Sequence, residues 1–537
     1  MNLTGILARL DDHKGPGILF FEKGRVVRRE FPAFKKDVEK AIDRLKSVGV
    51  KAGMRVGIRA TNCYPWIVYD VALLELRAQS VAFTEDFFPT PADELQQKYK
   101  LGLILGYSKD KPHIESKNGA VLLMDSTSDE GVKADDSFTH EPDPDFECPS
   151  LIFSSGTSGR IKGLQVSRKG AESTINAFTS RIQPRPDDCL LMFLPISNYQ
   201  QRMMCYAAMW FGFDLILTDP QRLFRALKEL HPTLFVAPPL LYETIEGKLY
   251  NLPKWKKLAA DYGGKIIEKI PVPELRQKAA RKLYGEIYEA LGGRMRFMLT
   301  GMAPIKRSTL QLFSRMQLPL FETYGLTECG PVALNVPGQH KPGSVGKPVE
   351  PGSVQIAEDG EIIVKKKHPQ SIGYFDVPAE DQVATFLDNG SVATGDIGRF
   401  DEDGYLYLVG RKKEIIITPG GVKVHPEVLE GDIDASPDVA KSVVFGGAGM
   451  QTLVAVVSVR GTLDATLKDR IERHVDTVNA KHPSAIRVGK VVFTDTQLTR
   501  ENGLLRPNLK LDRKRIQEYF ANDIGALKVE SPADNLA

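Results

Sequence analysis

Short apolar runs alternate with amphipathic stretches through roughly the first 350 residues of the chain. The runs at 55–59, 101–105 and 233–237 are short and built around Val, Ile or Leu, which is typical of buried strands. Apolar residues recur at helical spacing in 34–48 and 220–230. Because strands that alternate with helices favour parallel sheets, we expect α/β layers over this part of the chain.

The pattern changes near Gly343, where short strand-like runs are separated by Gly/Asp turns at 358–360 and 401–404. This favours a small β-rich subdomain. The run Lys365 to Lys367 lies within it. We interpret this run as a solvated turn, with contact to a ligand phosphate as the alternative.

The segment that follows Lys413 is long enough for a separate small domain. Its pattern is mixed. The runs at 439–445 and 453–459 predict strands, and those at 463–474 and 513–519 predict helices.

Composition narrows the class of protein. A chain of 537 residues with 42% apolar and 26% charged residues is typical of a globular protein with two or more domains. Its 71 basic residues are balanced by 68 acidic ones, which argues against nucleic-acid binding. No secretory signal or membrane span is expected, because the longest apolar stretch, 203–213, fits a buried helix. The five cysteines form no C-x-x-C pair, so we expect a reduced, cytoplasmic protein.

The segment 152–163 places glycines, small hydroxyl residues and Lys162 directly after an apolar strand. Glycines allow tight turns that direct backbone N–H groups at an anion, and the hydroxyls and the lysine add donors and charge. This predicts a phosphate-binding loop. The spacing excludes a Walker ATPase loop, since Ile161 stands where that motif has glycine and Gly163 where it has Ser or Thr.

Four weaker clusters follow. The first, Thr323 to Glu328, combines an aromatic ring with a hydroxyl and a carboxylate that suit a base and Mg²⁺, although a surface turn with a packed tyrosine explains it as well. The second, Thr394 to Gly398, offers Asp396 as an acceptor for ribose hydroxyls or as a turn former. The last two are Gly410 to Glu427 and Glu501 to Arg513.

Together and in this order, these clusters resemble the adenylate-forming superfamily of acyl-CoA synthetases, peptide-synthetase adenylation domains and luciferase, over nearly the whole chain. The family loop T-S-G-T-T-G-x-P-K-G is matched by Ser154 to Gly163, with Ile161 in place of proline. The motif Y-G-x-T-E is matched in full from Tyr324 to Glu328. The T-G-D, G-R-x-K and lysine segments follow at the expected places.

The resemblance implies an α/β fold with two domains. Residues 1–411 would form a large N-terminal adenylation core of αβαβα-layered subdomains plus a small β-barrel-like subdomain. Residues 412–537 would form a mobile, small α+β C-terminal domain, with Lys413 at the hinge.

It also implies roles for particular residues. ATP would be held by residues of the phosphate loop and of the later motifs: Ser154, Ser155, Gly156, Thr157, Ser158, Gly159, Lys162, Gly301, Met302, Ala303, Glu322, Thr323, Tyr324, Gly325, Thr327, Asp396, Arg411 and Lys510. The catalytic set would be Lys510, Thr157, Glu328 and Lys162, with Glu328 as the Mg²⁺ ligand. In the lysine segment, Leu509 replaces the usual glycine.

The implied activity is ATP-dependent conversion of a carboxylic acid to an acyl adenylate, with release of pyrophosphate, followed by transfer to a pantetheine thiol. Gly420 and Gly421 would let the narrow pantetheine arm approach the backbone. Coenzyme A is the first choice of acceptor, and a separate acyl carrier protein is the alternative. A non-catalytic acyl or nucleotide sensor is a minor alternative, disfavoured by the retained Lys162, Glu328 and Lys510.

The segment Leu194 to Arg202 is similar to L-P-L-S-H-x-x-E-R of long-chain acyl-CoA synthetases, with Asn198 for the histidine and Gln201 for the glutamate. By that likeness, the acyl pocket would include Asn198, Tyr199 and Leu326. Residues 197–201 contain no carboxylate to pair with an ammonium group, which would be costly to bury alone. A fatty or other apolar acid is therefore expected.

Overall fold

A computed structural model of the chain describes residues 1–110, 120–138, 143, 145–154, 161–250, 253–447, 450–499, 501–505 and 511–525. Its strands, in chain order, are β1 Gly17–Glu22, β2 Arg25–Glu30, β3 Arg55–Arg59, β4 Gln79–Ala82, β5 Leu103–Gly106, β6 Val121–Leu123, β7 Ser150–Ser154, β8 Lys162–Val166, β9 Cys189–Met192, β10 Asp214–Leu217, β11 Leu234–Ala237, β12 Phe297–Thr300, β13 Leu320–Leu326, β14 Gly330–Leu334, β15 Lys347–Pro348, β16 Val354–Ile356, β17 Glu361–Val364, β18 Ser371–Phe375, β19 Val392–Phe400, β20 Leu406–Arg411, β21 Ile416–Ile417, β22 Lys423–Val424, β23 Val439–Phe445, β24 Leu453–Val459 and β25 Val488–Thr494.

The α-helices are α1 Ile6–Arg9, α2 Phe31–Ser47, α3 Tyr64–Glu75, α4 Ala92–Tyr99, α5 Arg168–Ile182, α6 Tyr199–Phe211, α7 Leu223–Leu230, α8 Pro239–Tyr250, α9 Lys254–Glu268, α10 Pro273–Leu283, α11 Gly285–Ala290, α12 Arg307–Arg315, α13 Ala379–Val383, α14 Pro426–Ile433, α15 Ala465–Asn479, α16 Arg513–Tyr519 and α17 Ala521–Ile524. The strands predicted at 55–59, 439–445 and 453–459 are confirmed with the same bounds. Among the helices in the described ranges, none is both long and apolar enough to cross a bilayer.

Two large sheets form the frame of the first part of the chain. Over the described residues, the first has nine strands in the order β15-β14-β13-β12-β11-β9-β10-β1-β2, and the second has seven, β18-β8-β7-β4-β3-β5-β6. The central pairs of both are parallel, as the alternating pattern predicted. Antiparallel pairs lie at both edges of the first sheet and at the β18 edge of the second. Helices cover these sheets, so central strands such as β12 are buried along their whole length.

The helices α5 and α6 are the ones that shape the later site. Helix α5 begins after Ser167, whose hydroxyl accepts the N–H of Gly170 at 3.1 Å. Helix α6 begins after Asn198 and ends at Gly212, whose positive φ of 74° closes the last turn. The buried helix expected around 203–213 is confirmed, since α6 carries buried residues from Tyr199 to Met209.

The β-rich subdomain expected after Gly343 is confirmed as a small antiparallel sheet in the order β16-β17-β19-β20. The solvated-turn interpretation of 365–367 is wrong for the middle residue. Lys366 is 6% exposed, and its Nζ donates to the carbonyl oxygen of Pro331 at 2.8 Å. Its ammonium group therefore ties this sheet to strand β14 instead of facing water.

The last part of the chain has its own sheet and core. Strand β23 pairs antiparallel with β24, which pairs parallel with β25. Every residue of β24 is buried, because α14 and α15 pack on one side and α16 and α17 on the other. The predicted combination of a large α/β domain with a small α+β domain is thus confirmed.

Candidate active site

Three residues from separate motifs meet at one point. The hydroxyl of Tyr324 donates to Oδ2 of Asp396 at 2.7 Å, and Oδ1 of Asp396 pairs with Nε of Arg411 at 3.0 Å. Asp396 lies within β19, directly opposite Arg411 on β20, so its interpretation as a turn former is wrong. Burial and the neighbouring Asp396 carboxylate raise the pKa of the Tyr324 hydroxyl, which keeps it a donor.

Glycines let the chain pack closely around this point. A Cβ on Gly301, just after β12, would lie 3.0 Å from the carbonyl oxygen of Thr323. A Cβ on Gly325 would lie 2.6 Å from the carbonyl oxygen of Gly330, inside the β13–β14 hairpin. The structure therefore brings the predicted nucleotide residues at the end of β12 and in β13 side by side. Gly325 requires glycine, and Gly301 leaves little room for a side chain.

Met302 and Ala303 follow Gly301 at the end of β12, and Ala303 is exposed. Met302 adopts a positive φ of 72°, which is strained for a residue with a side chain. Glu322 lies behind them. Its Oε2 accepts the N–H of Gly343 at 2.8 Å, and burial raises the pKa of its carboxyl to about 7.

A second network joins the phosphate-loop strand to the predicted metal ligand. Nζ of Lys162 lies 3.1 Å from Oδ2 of Asp381 and 4.9 Å from the ring centroid of Tyr374. The hydroxyl of Tyr374 donates to Oε1 of Glu328 at 3.1 Å. Tyr374 therefore contacts both Lys162, through its ring, and Glu328, through its hydroxyl.

The other predicted residues of the phosphate loop and of the lysine segment are described only in part. Ser154 ends β7 opposite Lys162 at the start of β8. Ser155, Gly156, Thr157, Ser158, Gly159 and Lys510 lie outside the described residues. Their roles therefore stay predictions. Thr327 is placed on the hairpin, where its carbonyl oxygen accepts Nε2 of Gln370 at 3.1 Å.

A cleft, called the apolar cavity below, opens beside the Tyr324 cluster. One end is lined by predicted nucleotide residues: Gly301, Met302, Thr323, Tyr324 and Gly325. Helices α5 and α6 supply mainly apolar walls: Ile175, Phe178, Met203, Met204 and Ala207. One cleft therefore joins an apolar compartment to the predicted nucleotide residues.

The predicted acyl-pocket residues lie next to this cavity rather than in its described wall. The Oδ1 of Asn198 accepts the N–H of Gln200 at 3.2 Å and so caps α6. Tyr199 is 1% exposed and packs under the guanidinium of Arg202. The carbonyl oxygen of Leu326 accepts Nε2 of Gln200 at 3.1 Å. Because of the helical geometry, the wall is formed instead by Gln200 and the residue after it.

The chain crosses between its two parts at 412–414. Nζ of Lys412 is paired with carboxylates of the small sheet, Asp359 at 2.6 Å and Glu361 at 2.7 Å. Glu414 is paired with Nε of Arg513 at 2.9 Å, on α16 of the last part. Lys413 lies exposed between these two anchors.

Gly420 and Gly421 lie on an exposed turn of the last part, beyond β21. Gly421 has a φ of 76°, and a Cβ there would meet nothing within 4 Å. Gly420 borders a groove that also includes Thr418, Thr452 and Arg487. The turn is thus open enough for a narrow ligand to pass.

Comparison with known proteins decides the family. The model of the AMP-binding enzyme matches residues 18–372, and the model of the AMP-binding enzyme C-terminal domain matches residues 413–528. The chain belongs to the AMP-binding enzyme family. The resemblance to the adenylate-forming superfamily is confirmed, and with it the acyl-CoA synthetase branch.

Among curated relatives of this AMP-binding enzyme is the long-chain-fatty-acid–CoA ligase FadD15 of Mycobacterium tuberculosis, 30% identical over 90% of this chain and 89% of that protein. Another is the long-chain-fatty-acid–CoA ligase 1 of Homo sapiens, 28% identical over 70% of this chain and 60% of its own. Similar solved structures include ATP-bound MatB from Rhodopseudomonas palustris, with 22% identity and a TM-score of 0.74 over 98% of this chain and 100% of that one. The anthranilate CoA ligase AuaEII has 18% identity and a TM-score of 0.75, over 97% of each chain. These structures support the fold of this AMP-binding enzyme.

Several residues that contribute to the site of this AMP-binding enzyme were missed by the sequence analysis. Tyr374 and Asp381 lie far from the recognised motifs, and Thr174 belongs to an ordinary-looking helix. For Tyr374, the Gly373-Tyr374 pair after a strand-like run was a weak indication of a functional residue. Nothing in the chain order indicated Thr174, because it reaches the apolar cavity only through the packing of α5 against α6.

Proposed function

We propose that this protein is an AMP-forming acid–thiol ligase that activates an apolar carboxylic acid with ATP and transfers the acyl group to coenzyme A. The observation that carries this proposal is the apolar cavity. Tyr324, which Asp396 fixes at the nucleotide residues, also lines the compartment between α5 and α6. An acid lying there would present its carboxyl end to the nucleotide residues.

The cavity wall supports an acid without an amino group. Among the described residues that line it, none is charged. A buried ammonium group would therefore lack a carboxylate partner, which is costly. The names of the curated relatives, which are long-chain-fatty-acid–CoA ligases, support fatty acids as the substrate class and coenzyme A over a carrier protein as the acceptor.

The residues present fit Mg²⁺ as a partner of ATP. Within the described ranges, no group of three or more ligating side chains exists that could hold a metal alone. Mg²⁺ usually takes one or two carboxylates and completes its shell with water and substrate phosphates, so Glu328 is a sufficient protein ligand. The ion would supply positive charge against the phosphates. Lys162, which lies against the ring of Tyr374, would add to that positive charge.

We further propose that the two domains meet at 411/412 and that Lys413 is the hinge between them. Rotation at this hinge would switch the protein from one half-reaction to the other. The anchors on either side of Lys413 support this, since Lys412 holds to the small sheet and Glu414 to α16. Rotation about one exposed residue would move the last part as a unit. It would present Lys510 for adenylation and Gly420 and Gly421 for the thiol step.

The test is turnover with ATP, Mg²⁺ and coenzyme A, using hexanoate, decanoate and palmitate in turn. The expected products are AMP, pyrophosphate and the acyl-CoA. Release of ADP and phosphate would contradict the proposal, and no turnover with any acid would favour the sensor alternative. Replacing coenzyme A by a holo acyl carrier protein tests the other acceptor, and a faster reaction with it would overturn the choice of coenzyme A.

Lys510→Ala tests whether Lys510 serves adenylate formation and not thioester formation. It should lower adenylate formation by about 100-fold or more, because the variant lacks the cation proposed to offset the charge of the α-phosphate. Thioester formation from a supplied acyl adenylate and coenzyme A should change little. The matched variant is Lys514→Ala, whose exposed lysine on α16 pairs with Glu518. An equal loss in both half-reactions for Lys510→Ala would contradict the hinge proposal.

A further inference from the structure

The wall of the apolar cavity contains six side chains that can form hydrogen bonds: Thr174, Thr179, Gln200, Gln201, Thr323 and Tyr324. Four of them use this capacity within the protein. The hydroxyls of Thr179 and Thr323 donate to carbonyl oxygens at 2.7 and 2.9 Å. The Gln200 amide and the Tyr324 hydroxyl are bonded as described above.

Thr174 and Gln201 differ from the other four. Thr174 is 1% exposed and Gln201 is 5% exposed. Oγ1 of Thr174 and Oε1 of Gln201 are buried and have no hydrogen-bond partner among the residues that the structure describes. Folding rarely leaves two buried polar groups of one cleft without partners, since each loses its bonds to water and gains nothing in return.

These two side chains lie on facing helices, Thr174 on α5 and Gln201 on α6. Both lie near the hairpin that carries Glu328. Cγ2 of Thr174 is 3.3 Å from the place where a Cβ on Gly330 would be. Gln200, next to Gln201, is bonded to the backbone of the same hairpin. The Thr174 side chain therefore lies beside this hairpin, and Gln201 lies next to a residue that is bonded to it.

We propose that Thr174 and Gln201 form a hydroxyl-recognition site, and that the preferred substrates are acids with a hydroxyl group close to the carboxyl end. This rests on the proposed function, that the protein activates carboxylic acids. A hydroxyl both donates and accepts, so one group of the ligand can satisfy Oγ1 of Thr174 and Oε1 of Gln201 together. An ammonium group does not fit, because the described wall has no carboxylate.

A plain alkyl chain would fill the same space and leave both polar atoms without partners. Sites built to bond a hydroxyl discriminate against the analogue that lacks it, because their own polar groups are then left buried and unpaired. Apart from Thr179 and Gln200, the other wall residues of α5 and α6 are apolar, so an alkyl chain can pack against them. The substrate class is thus a hydroxylated fatty acid.

The test compares kcat/KM for decanoate, 3-hydroxydecanoate and 10-hydroxydecanoate, with formation of AMP as the readout. The expected result is a preference of about tenfold for 3-hydroxydecanoate over decanoate. No gain is expected for 10-hydroxydecanoate, whose hydroxyl would lie far from both side chains. Equal kcat/KM for the first two acids, or a preference for the third, would overturn the proposal.

The double variant Thr174→Val, Gln201→Met keeps the shape of both side chains and removes the polar atoms. It should abolish the preference and raise the use of decanoate. The matched control is Thr179→Val, in the same wall, whose hydroxyl is already bonded within α5. Its selectivity ratio should equal that of the wild type. A preference that survives in the double variant would overturn the proposal.

The ratio is measured within one preparation, so a partly folded variant does not alter it. Should the double variant not fold, each single variant should lower the ratio in part. Absence of turnover with every acid would contradict the proposed function and leave the recognition site testable by calorimetry. In that case 3-hydroxydecanoate should bind more tightly than decanoate to the wild type only, and equal binding would overturn the site.

Discussion

The two ends of the apolar cavity are built in different ways. At the nucleotide end, Tyr324, Asp396 and Arg411 form a closed chain of hydrogen bonds and charge. At the acyl end, Thr174 and Gln201 keep buried polar atoms without partners among the described residues. The side chains of the first end are thus fixed to one another, and under our proposal those of the second find their partners in the ligand.

This difference follows from what each end has to recognise. Every adenylation reaction uses the same nucleotide, so the groups that hold it can be fixed to one another. The acid varies from enzyme to enzyme, and its pocket is formed by whichever side chains α5 and α6 turn toward each other. We therefore expect the residues that bind the nucleotide to be fixed in advance, and those that bind the acid to differ from enzyme to enzyme.

Asp396→Asn breaks the organised end and should have the largest effect. The amide keeps the size of the side chain but loses the charge opposite Arg411 and one of the two acceptor oxygens. We expect kcat/KM for ATP to fall by about 100-fold, as is typical when one partner of a hydrogen-bonded charge pair is removed. The measurement is ATP–pyrophosphate exchange at saturating acid.

Asp401→Asn is the matched control, because Asp401 lies just beyond the end of the same strand and its ion pair with Lys341 is away from Tyr324. It should leave the exchange rate near that of the wild type. Should Asp396→Asn raise KM for the acid as much as KM for ATP, the two ends would not be independent, and the comparison would be wrong.

The organised end was also the one that the sequence could predict. The motif Tyr324 to Glu328 and the residues Asp396 and Arg411 were identified from order and spacing, and the structure brings Tyr324, Asp396 and Arg411 together. Strand bounds such as 439–445 were equally clear, because their aliphatic pattern is continuous. Motif spacing and continuous aliphatic patterns depend on residues that are close in sequence, so they can be recognised without a structure.

The acyl end could not be predicted because its chemistry depends on packing. The likeness to long-chain synthetases predicted Asn198 and Tyr199 for the acyl pocket. In the structure Asn198 caps α6 and Tyr199 packs under Arg202, while the residues that line the cavity on α6 begin at Gln200. Thr174 comes from another helix, and Tyr374 joins Lys162 to Glu328 from a distant edge strand. Such contacts are set by tertiary structure alone.

Glu322 is an exception within the organised end, and it gives an effect of intermediate size. Burial raises the pKa of its carboxyl to about 7, although Arg307 and the N–H of Gly343 act in the opposite direction. The folded state therefore binds a proton more tightly than the unfolded chain. Its contribution to stability is full below about pH 4.5 and is lost as the pH rises through about 7.

Glu322→Gln should remove this dependence. At pH 8 the variant should be more stable than the wild type by about 2 kcal/mol, a value discounted for partial exposure, and at pH 4 the two should be equal. Denaturant unfolding across this range is the measurement. Burial also raises the pKa of Glu427 to about 7. Its contribution to the pH dependence is the same in both proteins, so it cancels in the difference between variant and wild type. Glu358→Gln, in a turn, is the control, and parallel curves for Glu322→Gln and the wild type would contradict the assignment.

Ala207→Phe tests the acyl end and should have the smallest effect. Ala207 lines the cavity six residues beyond Gln201 on α6, about 9 Å further along the helix axis. A phenyl ring there should shorten the cavity, so kcat/KM for palmitate should fall about tenfold, the scale of one overpacked contact, while hexanoate and KM for ATP change little. Ala177→Phe on α5, which is not among the described lining residues, is the control.

If hexanoate and palmitate were affected equally, chain length would not be measured at this helix. A rise in KM for ATP would show that the nucleotide end depends on the acyl wall after all.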